Sequence, residues 1–199
     1  HLWIIDNSTG FDGKMNRLFE AILHILGEPE PLEIERKFLL AKRPDLRNSM
    51  LRRAEMFLIE QIYLSDGMSR IRKRSTVRYG RGRSQGDSTC YYMTCKVEIS
   101  PGVRREEENI ISSYDYAHLK GYKDLHRAVV RKHRYCFVYS NQYFELDTFI
   151  SPEWARGTWI LEHELLNIND PINLPPFLDI EKEVTADHAY SNYGIAKRR

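Results

Sequence analysis

The feature that most constrains this chain is a two-residue alternation of charged and apolar side chains, repeated in separate segments. In Leu32-Glu33-Ile34-Glu35-Arg36-Lys37-Phe38, Glu33, Glu35 and Lys37 keep one phase while Ile34 and Phe38 keep the other. Residues two apart on an extended strand share a face. The same beat puts Arg70, Arg72 and Arg74 in phase, and likewise Arg104, Glu106 and Glu108. It recurs at Lys132 and Arg134, at Glu145 and Asp147, and at Glu162 and Glu164, with Lys96 a single case between Cys95 and Val97. Few Ser, Thr, Gln or Asn occupy these phases, although an ordinary wet face mixes them in.

The segments read as strands over about 31–40, 55–64, 68–77, 90–99, 103–112, 127–139, 142–150 and 157–166. Ser65-Asp66-Gly67, Pro101-Gly102 and Ser140-Asn141 are turn signals between them. Helices are expected at Tyr114–Tyr122 and Asp187–Lys197, and the Gly-, Arg- and Ser-rich stretch Arg78–Ser88 reads as a mobile loop. This is a mainly β (α+β) chain whose eight antiparallel strands form a barrel or a sandwich. On one strand, charge alternation describes the solvated face of a sandwich. Repeated over many strands, it equally describes a barrel with a charged interior, and the pattern leaves both open.

An inward-facing set has chemical consequences. Buried charges are costly unless partnered, and eight strands enclose room for side chains or one small ligand. The set holds Lys37, Arg70, Arg72, Arg74, Lys96, Arg104, Lys132 and Arg134 against Glu33, Glu35, Glu106, Glu108, Glu145, Asp147, Glu162 and Glu164. Arg and Lys suit a compact polyanion, since guanidinium forks match phosphate oxygens. The carboxylates repel that polyanion unless a hard cation, Mg²⁺ or Mn²⁺, stands between them. Cations, carboxylates and metal together describe metal-assisted phosphoryl chemistry on an oligophosphate.

Composition narrows the field. Thirty Lys and Arg against 28 Asp and Glu give a net charge of +2, which excludes a strongly basic nucleic-acid binder. At 42% hydrophobic and 29% charged, the 199 residues can bury a core. No apolar run approaches the roughly 20 residues of a membrane span. Cys90, Cys95 and Cys136 match neither a disulfide framework nor a zinc set, so they read as free thiols of a reducing, cytoplasmic compartment. The start of the chain shows no signal peptide and no initiating Met, and is expected to be a trimmed or excised end.

Glu33-Ile34-Glu35-Arg36-Lys37 resembles the ExExK signature of the CYTH superfamily, the triphosphate tunnel metalloenzymes. Further matches follow in order: Arg70/Arg72, Lys96, Arg104/Glu106/Glu108, Lys132/Arg134, Phe144-Glu145-Leu146-Asp147, Glu162/Glu164 and Glu183-Val184-Thr185 with Asp187. The resemblance spans about residues 31–196 and implies an eight-stranded antiparallel tunnel acting on triphosphates with Mg²⁺ or Mn²⁺. It implies that Glu33, Glu35, Asp147, Glu162 and Glu164 hold metal. It implies that Lys37, Arg70, Arg72, Arg74, Lys96, Lys132 and Arg134 cradle phosphates, with Arg104 and Glu145 on the tunnel wall and Lys182 near a mouth. Glu106 or Glu108 is expected to orient or deprotonate the attacking water, and Lys37 to act beside them. Inorganic tripolyphosphate is the first expected substrate. A class IV-type adenylyl cyclase, a thiamine triphosphatase and a non-catalytic polyphosphate- or nucleotide-binding module are the alternatives, and an RNA 5′-triphosphatase has little charge support.

Residues 1–30 differ from the rest. Gly13–Leu26 carries helical periodicity in Leu18, Ile22, Ile25 and Leu26, and Glu28-Pro29-Glu30-Pro31 reads as a linker. The stretch resembles the tail of a P-loop ATPase-like domain carried upstream by some CYTH proteins. No GxxxxGK[ST] motif is present, so ATP binding by that route is not expected. The expected organisation is therefore 1–30 as helix and linker, and 31–199 as the tunnel domain.

Overall fold

The structure is a computed structural model that describes residues 32–77, 88–100, 103–165, 167 and 169–197. The helix expected at 13–26, the ATPase-like resemblance of residues 1–30 and most of the 78–88 loop lie outside the described residues.

The strands are β1 (Leu32–Leu40), β2 (Glu55–Tyr63), β3 (Ser69–Val77), β4 (Thr89–Ser100) and β5 (Val103–Ile111), then β6 (Val130–Tyr139), β7 (Gln142–Ser151), β8 (Trp159–Leu165) and β9 (Ile180–Glu183). They form one nine-stranded sheet in the order β5-β4-β3-β2-β6-β7-β8-β1-β9. The registered pairs are antiparallel, and β5 makes an additional pairing with β1, giving a barrel-like tunnel. The ninth strand was not expected: β9 is short and runs beside the far half of β1. Short helices sit around the sheet: α1 (Ser49–Arg53), α2 (Ser113–Leu119) and α3 (Asn192–Ile195). No helix among the described residues is long and apolar enough to cross a membrane.

Local chemistry fixes the connections. Asp66 Oδ1 accepts from the backbone N–H groups of Met68 and Ser69 at 3.0 and 2.8 Å, and Gly67 takes φ +77°, closing the β2–β3 hairpin. Ser140 and Asn141 both adopt positive φ, the twist that a two-residue hairpin between β6 and β7 requires. Ser112 and Asp115 form a reciprocal capping box at the start of α2. The helix expected at 114–122 is α2 followed by a 3-10 turn, and the one expected at 187–197 is a 3-10 turn followed by α3.

The sheet packs apolar side chains on its outer surface. Phe38 and Leu40 of β1, Tyr135 and Phe137 of β6, Phe144 and Leu146 of β7, and Trp159 and Leu161 of β8 form the main cluster, covered by Leu51 of α1 and by Leu178. The opposite phase of the same strands carries Lys37, Lys132, Arg134, Asp147 and Glu162, all buried. The inner face is thus charged and the outer face apolar, which decides against a sandwich with a wet exterior. A register shift between Arg131 and Lys132 helps set this phase. Arg131 turns out to pair with Glu60 at 2.7 Å, as its out-of-phase position anticipates, while Lys132 turns in.

Candidate functional site

The inner face surrounds a cavity of about 510 Å³. Lys37, Arg70, Arg72, Lys132 and Arg134 line it from three strands, together with Glu35, Glu108, Glu145, Glu162 and Glu164. All ten belong to the charged phase read from the sequence, a phase that left open whether it faced in or out. The side chains of Glu33, Lys96, Arg104 and Glu106 lie outside the described set; their backbones place Lys96 opposite Glu106 and leave Arg104 opposite Glu98.

The charges are knitted into a network. Lys37 Nζ donates to Glu35 Oε2 at 2.8 Å and to Glu162, which lies directly across on β8. Arg134 donates through Nε and one terminal nitrogen to both oxygens of Asp147, at 2.8 and 2.7 Å. It also donates to Glu162 Oε2 at 2.7 Å and to Glu145. Lys132 donates to Asp147 and, at 3.1 Å, to Asn192 Oδ1. Around the wall, Arg72 donates to the carboxylate of Glu108 at 2.6 and 2.7 Å, and the buried Thr94 hydroxyl donates to the same group at 2.8 Å.

Burial and partners pull the titrations apart. Burial disfavours the ammonium of Lys37, but Glu162 and Glu35 outweigh it and raise its pKa. Burial and then the repulsion of Arg134 dominate at Lys132, whose pKa is lowered despite Asp147. Glu162 is held well below the ordinary carboxylate range: Lys37, Lys132 and Arg134 overcome its burial.

Some expected residues take other places. Asp147 is 0% exposed, and its two oxygens are occupied by Arg134 and Lys132. It anchors these two cations and does not itself line the cavity. Arg74 keeps the phase of Arg72, yet its guanidinium lies 3.6 Å from the centroid of the Phe57 ring, beside the apolar group Phe57, Ile59 and Cys136. Lys182 is exposed on β9, with its ammonium 5.4 Å from the Tyr190 ring. Neither Arg74 nor Lys182 lines the cavity. Glu183 is taken by Arg36 in a two-point pair on the outer side, at 2.8 and 2.6 Å. His163 packs against Phe144 with ring centroids 4.8 Å apart and Nδ1 2.7 Å from Tyr143 O, and it also borders the cavity.

Neutral lining residues were missed. Gln61 and Tyr63 of β2 face the cavity, with Gln61 Nε2 donating to Tyr63 Oη at 2.6 Å and Arg70 reaching Gln61 Oε1 at 3.4 Å. Tyr143 also lines it, as do Ser191, Asn192 and Tyr193 at the start of α3. In β2 the uncharged Gln61 shares its phase with Phe57, Ile59 and Tyr63, and it is the one polar break within that run that could have marked the strand.

Among the described residues, no group of three or more His, Cys, Asp or Glu side chains converges as a ready metal cage. Glu35 and Glu164 do stand opposite one another across β1 and β8, in a cavity they both line. Like charges directly opposite on neighbouring strands are unfavourable unless a cation lies between them. Two carboxylates are also enough for Mg²⁺ when a substrate phosphate and water supply the other oxygens.

No protein-family model matches the chain, and neither does any curated protein. Among solved structures, the chain is similar to the crystal structure of the inorganic triphosphatase NE1496, at 27% identity and a TM-score of 0.52, over 84% of this chain and 95% of that one. A second crystal structure, described as that of the hypothetical protein NE1496, aligns at 27% identity and a TM-score of 0.50 over 82% and 97%.

Proposed function

We propose that this chain is a divalent-metal-dependent triphosphatase of the triphosphate tunnel metalloenzyme type, hydrolysing inorganic tripolyphosphate or a small molecule that bears a triphosphate. The observation that carries the proposal is the convergence of five cations and five carboxylates on one cavity inside the sheet. The likeness to an inorganic triphosphatase over most of both chains supports it.

The chain's own residues divide the work. Lys37, Arg70, Arg72, Lys132 and Arg134 bind phosphate oxygens and stabilise the charge that moves onto the leaving oxygen. Arg134 and Lys132 are prepositioned for this by the buried Asp147, so little reorganisation is needed when the polyanion arrives. Glu35 and Glu164 would hold Mg²⁺ or Mn²⁺, joined on the sequence resemblance by Glu33, two residues before Glu35 in the chain. That ion supplies neutralisation of phosphate charge and a template for in-line displacement. Glu108, fixed by Arg72 and Thr94, or Glu106 on the same strand, orients the attacking water. Tripolyphosphate leads the substrate list because the described lining is dominated by charges that suit phosphate oxygens and the structural likeness is to an inorganic triphosphatase.

The test is phosphate release from tripolyphosphate, ATP and thiamine triphosphate in parallel, with Mg²⁺, Mn²⁺ or EDTA, and cyclic AMP measured in the ATP arm. Metal-dependent release from tripolyphosphate is expected. Cyclic AMP from ATP would reassign the reaction to cyclisation, and binding without turnover under any metal would reduce the site to a binding module.

A further inference from the structure

We infer that Asn192 is a positioning residue for Lys132, and through it for the bound oligophosphate; the inference rests on the function proposed above. Lys132 is 2% exposed and reaches the cavity with its ammonium. An ammonium has three N–H donors and no acceptor. One donor is spent on Asp147 and one on Asn192 Oδ1 at 3.1 Å. Because a lysine only donates, the amide of Asn192 must present its oxygen, which removes the usual ambiguity of amide orientation. Two acceptors from different elements, β7 and α3, thus fix the nitrogen, and the third N–H is left for a ligand. The other charges facing this ammonium are Arg134 of its own strand, which repels it, and Glu162 of β8, which attracts it. The Phe149 ring lies 5.7 Å away on β7.

The choice of amide over carboxylate matters. An aspartate at 192 would grip Lys132 more strongly, yet it would set another negative charge against the incoming polyanion. Asparagine orients the cation without that repulsion.

The chain around Asn192 is built to hold it still. Ser191 Oγ accepts from the Gly194 N–H at 2.9 Å and donates to His188 O at 2.8 Å. Any Cβ at Gly194 would fall 1.9 Å from His188 O, so the turn closes only around a glycine. Arg127 donates to Tyr193 O at 2.8 Å and Trp154 Nε1 to Ile195 O at 2.9 Å. Ile195 and Ala196 are buried with Val130, Phe149 and Ile160. Four separate anchors therefore support one side chain that points at a catalytic-site cation.

The experiment is a double-mutant cycle on binding of the non-hydrolysable imido analogue of tripolyphosphate with Mg²⁺, followed by calorimetry. Asn192→Ala is expected to weaken binding about tenfold or more, and to add nothing in a Lys132→Gln background. Trp154→Phe removes one anchor of α3 but leaves the Asn192 amide in place, so it is expected to weaken binding by less than Asn192→Ala does. An equal loss from Asn192→Ala in the Lys132→Gln background, or a loss from Trp154→Phe matching that of Asn192→Ala, would overturn the inference. A second readout needs no ligand: in ¹⁵N-lysine-labelled protein, the Lys132 Nζ signal should shift or exchange faster in Asn192→Ala, and an unmoved signal would also overturn it. Should the parent protein fail to bind the analogue, the proposed function falls, while the NMR arm still decides whether Asn192 holds Lys132.

Discussion

Glu145 and Glu162 stand directly opposite one another on β7 and β8, and a single guanidinium, Arg134, donates to both. The pairing of two carboxylates across adjacent strands is tolerable only because that cation spans them, and because Asp147 holds the cation from below. On the proposed function, binding and stability share the same side chains.

Arg134→Met tests that sharing. It leaves Glu145, Asp147 and Glu162 without their common partner in a buried setting, and removing one member of such a pair costs about 3–5 kcal/mol. Urea denaturation should show a fall of that order. An unchanged midpoint would mean the carboxylates are satisfied without Arg134.

Acid should weaken the fold through Glu162. Its folded pKa is depressed below the unfolded value, near ~4.3, because Lys37, Lys132 and Arg134 overcome the opposing effect of burial. The sign follows: its stabilisation is complete above the unfolded pKa and is lost as pH falls through the folded one. Urea unfolding between about pH 7 and about pH 3 should show stability declining with acid, and Glu162→Gln should flatten the decline. The same slope in both proteins would remove Glu162 as the source.

Metal dependence should trace to the Glu35–Glu164 pair. EDTA is expected to abolish phosphate release. Glu35→Gln and Glu164→Gln should each lower it about tenfold to a hundredfold at fixed Mn²⁺, with partial recovery at higher metal. Full metal-dependent release from Glu35→Gln would place the metal elsewhere.

Arg72 and Arg74 should part company despite their shared phase. Arg72 lines the cavity, while Arg74 lies over Phe57. Arg72→Ala is expected to raise KM for tripolyphosphate about tenfold or more, and Arg74→Ala to leave it within about twofold. Steady-state kinetics on both variants decides, and an equal rise would bring Arg74 back into the site.

Phe144→Ala should do the reverse. Phe144 is fully buried on the outer surface, stacked with Phe137 at 5.8 Å. Truncation should cost about 3–5 kcal/mol in stability with KM unchanged below the melting range. A large KM change would show that outer packing sets the lining.

Much of this arrangement was legible from the chain because the strand period is two and charge is a strong marker. Lys37, Arg72, Arg134 and Glu162 were placed on one face by their spacing, and Ser140-Asn141 marked its hairpin through residues that tolerate positive φ. Phase gives the face but not the depth. It could not distinguish Arg72, which pairs with Glu108 in the cavity, from Arg74, which lies over Phe57, nor show that Asp147 is spent on two cations. Gln61, Tyr63 and Asn192 carry no charge to break the pattern, and Asn192 arrives from a turn that no strand periodicity reaches. β9 escaped because four residues, IEKE, hold too little alternation to register.

The apolar cluster on the outside of the wall has one further consequence. The apolar share of the scaffold's cohesion lies on the outer side of the wall, through Phe38, Phe144, Leu146 and Leu161. Exchanging a lysine for an arginine, or one carboxylate for another, on the inner side need not disturb that outer seam. Such a wall allows the lining to change its charge pattern, provided the inner ion pairs stay matched, while the shell around it stays the same.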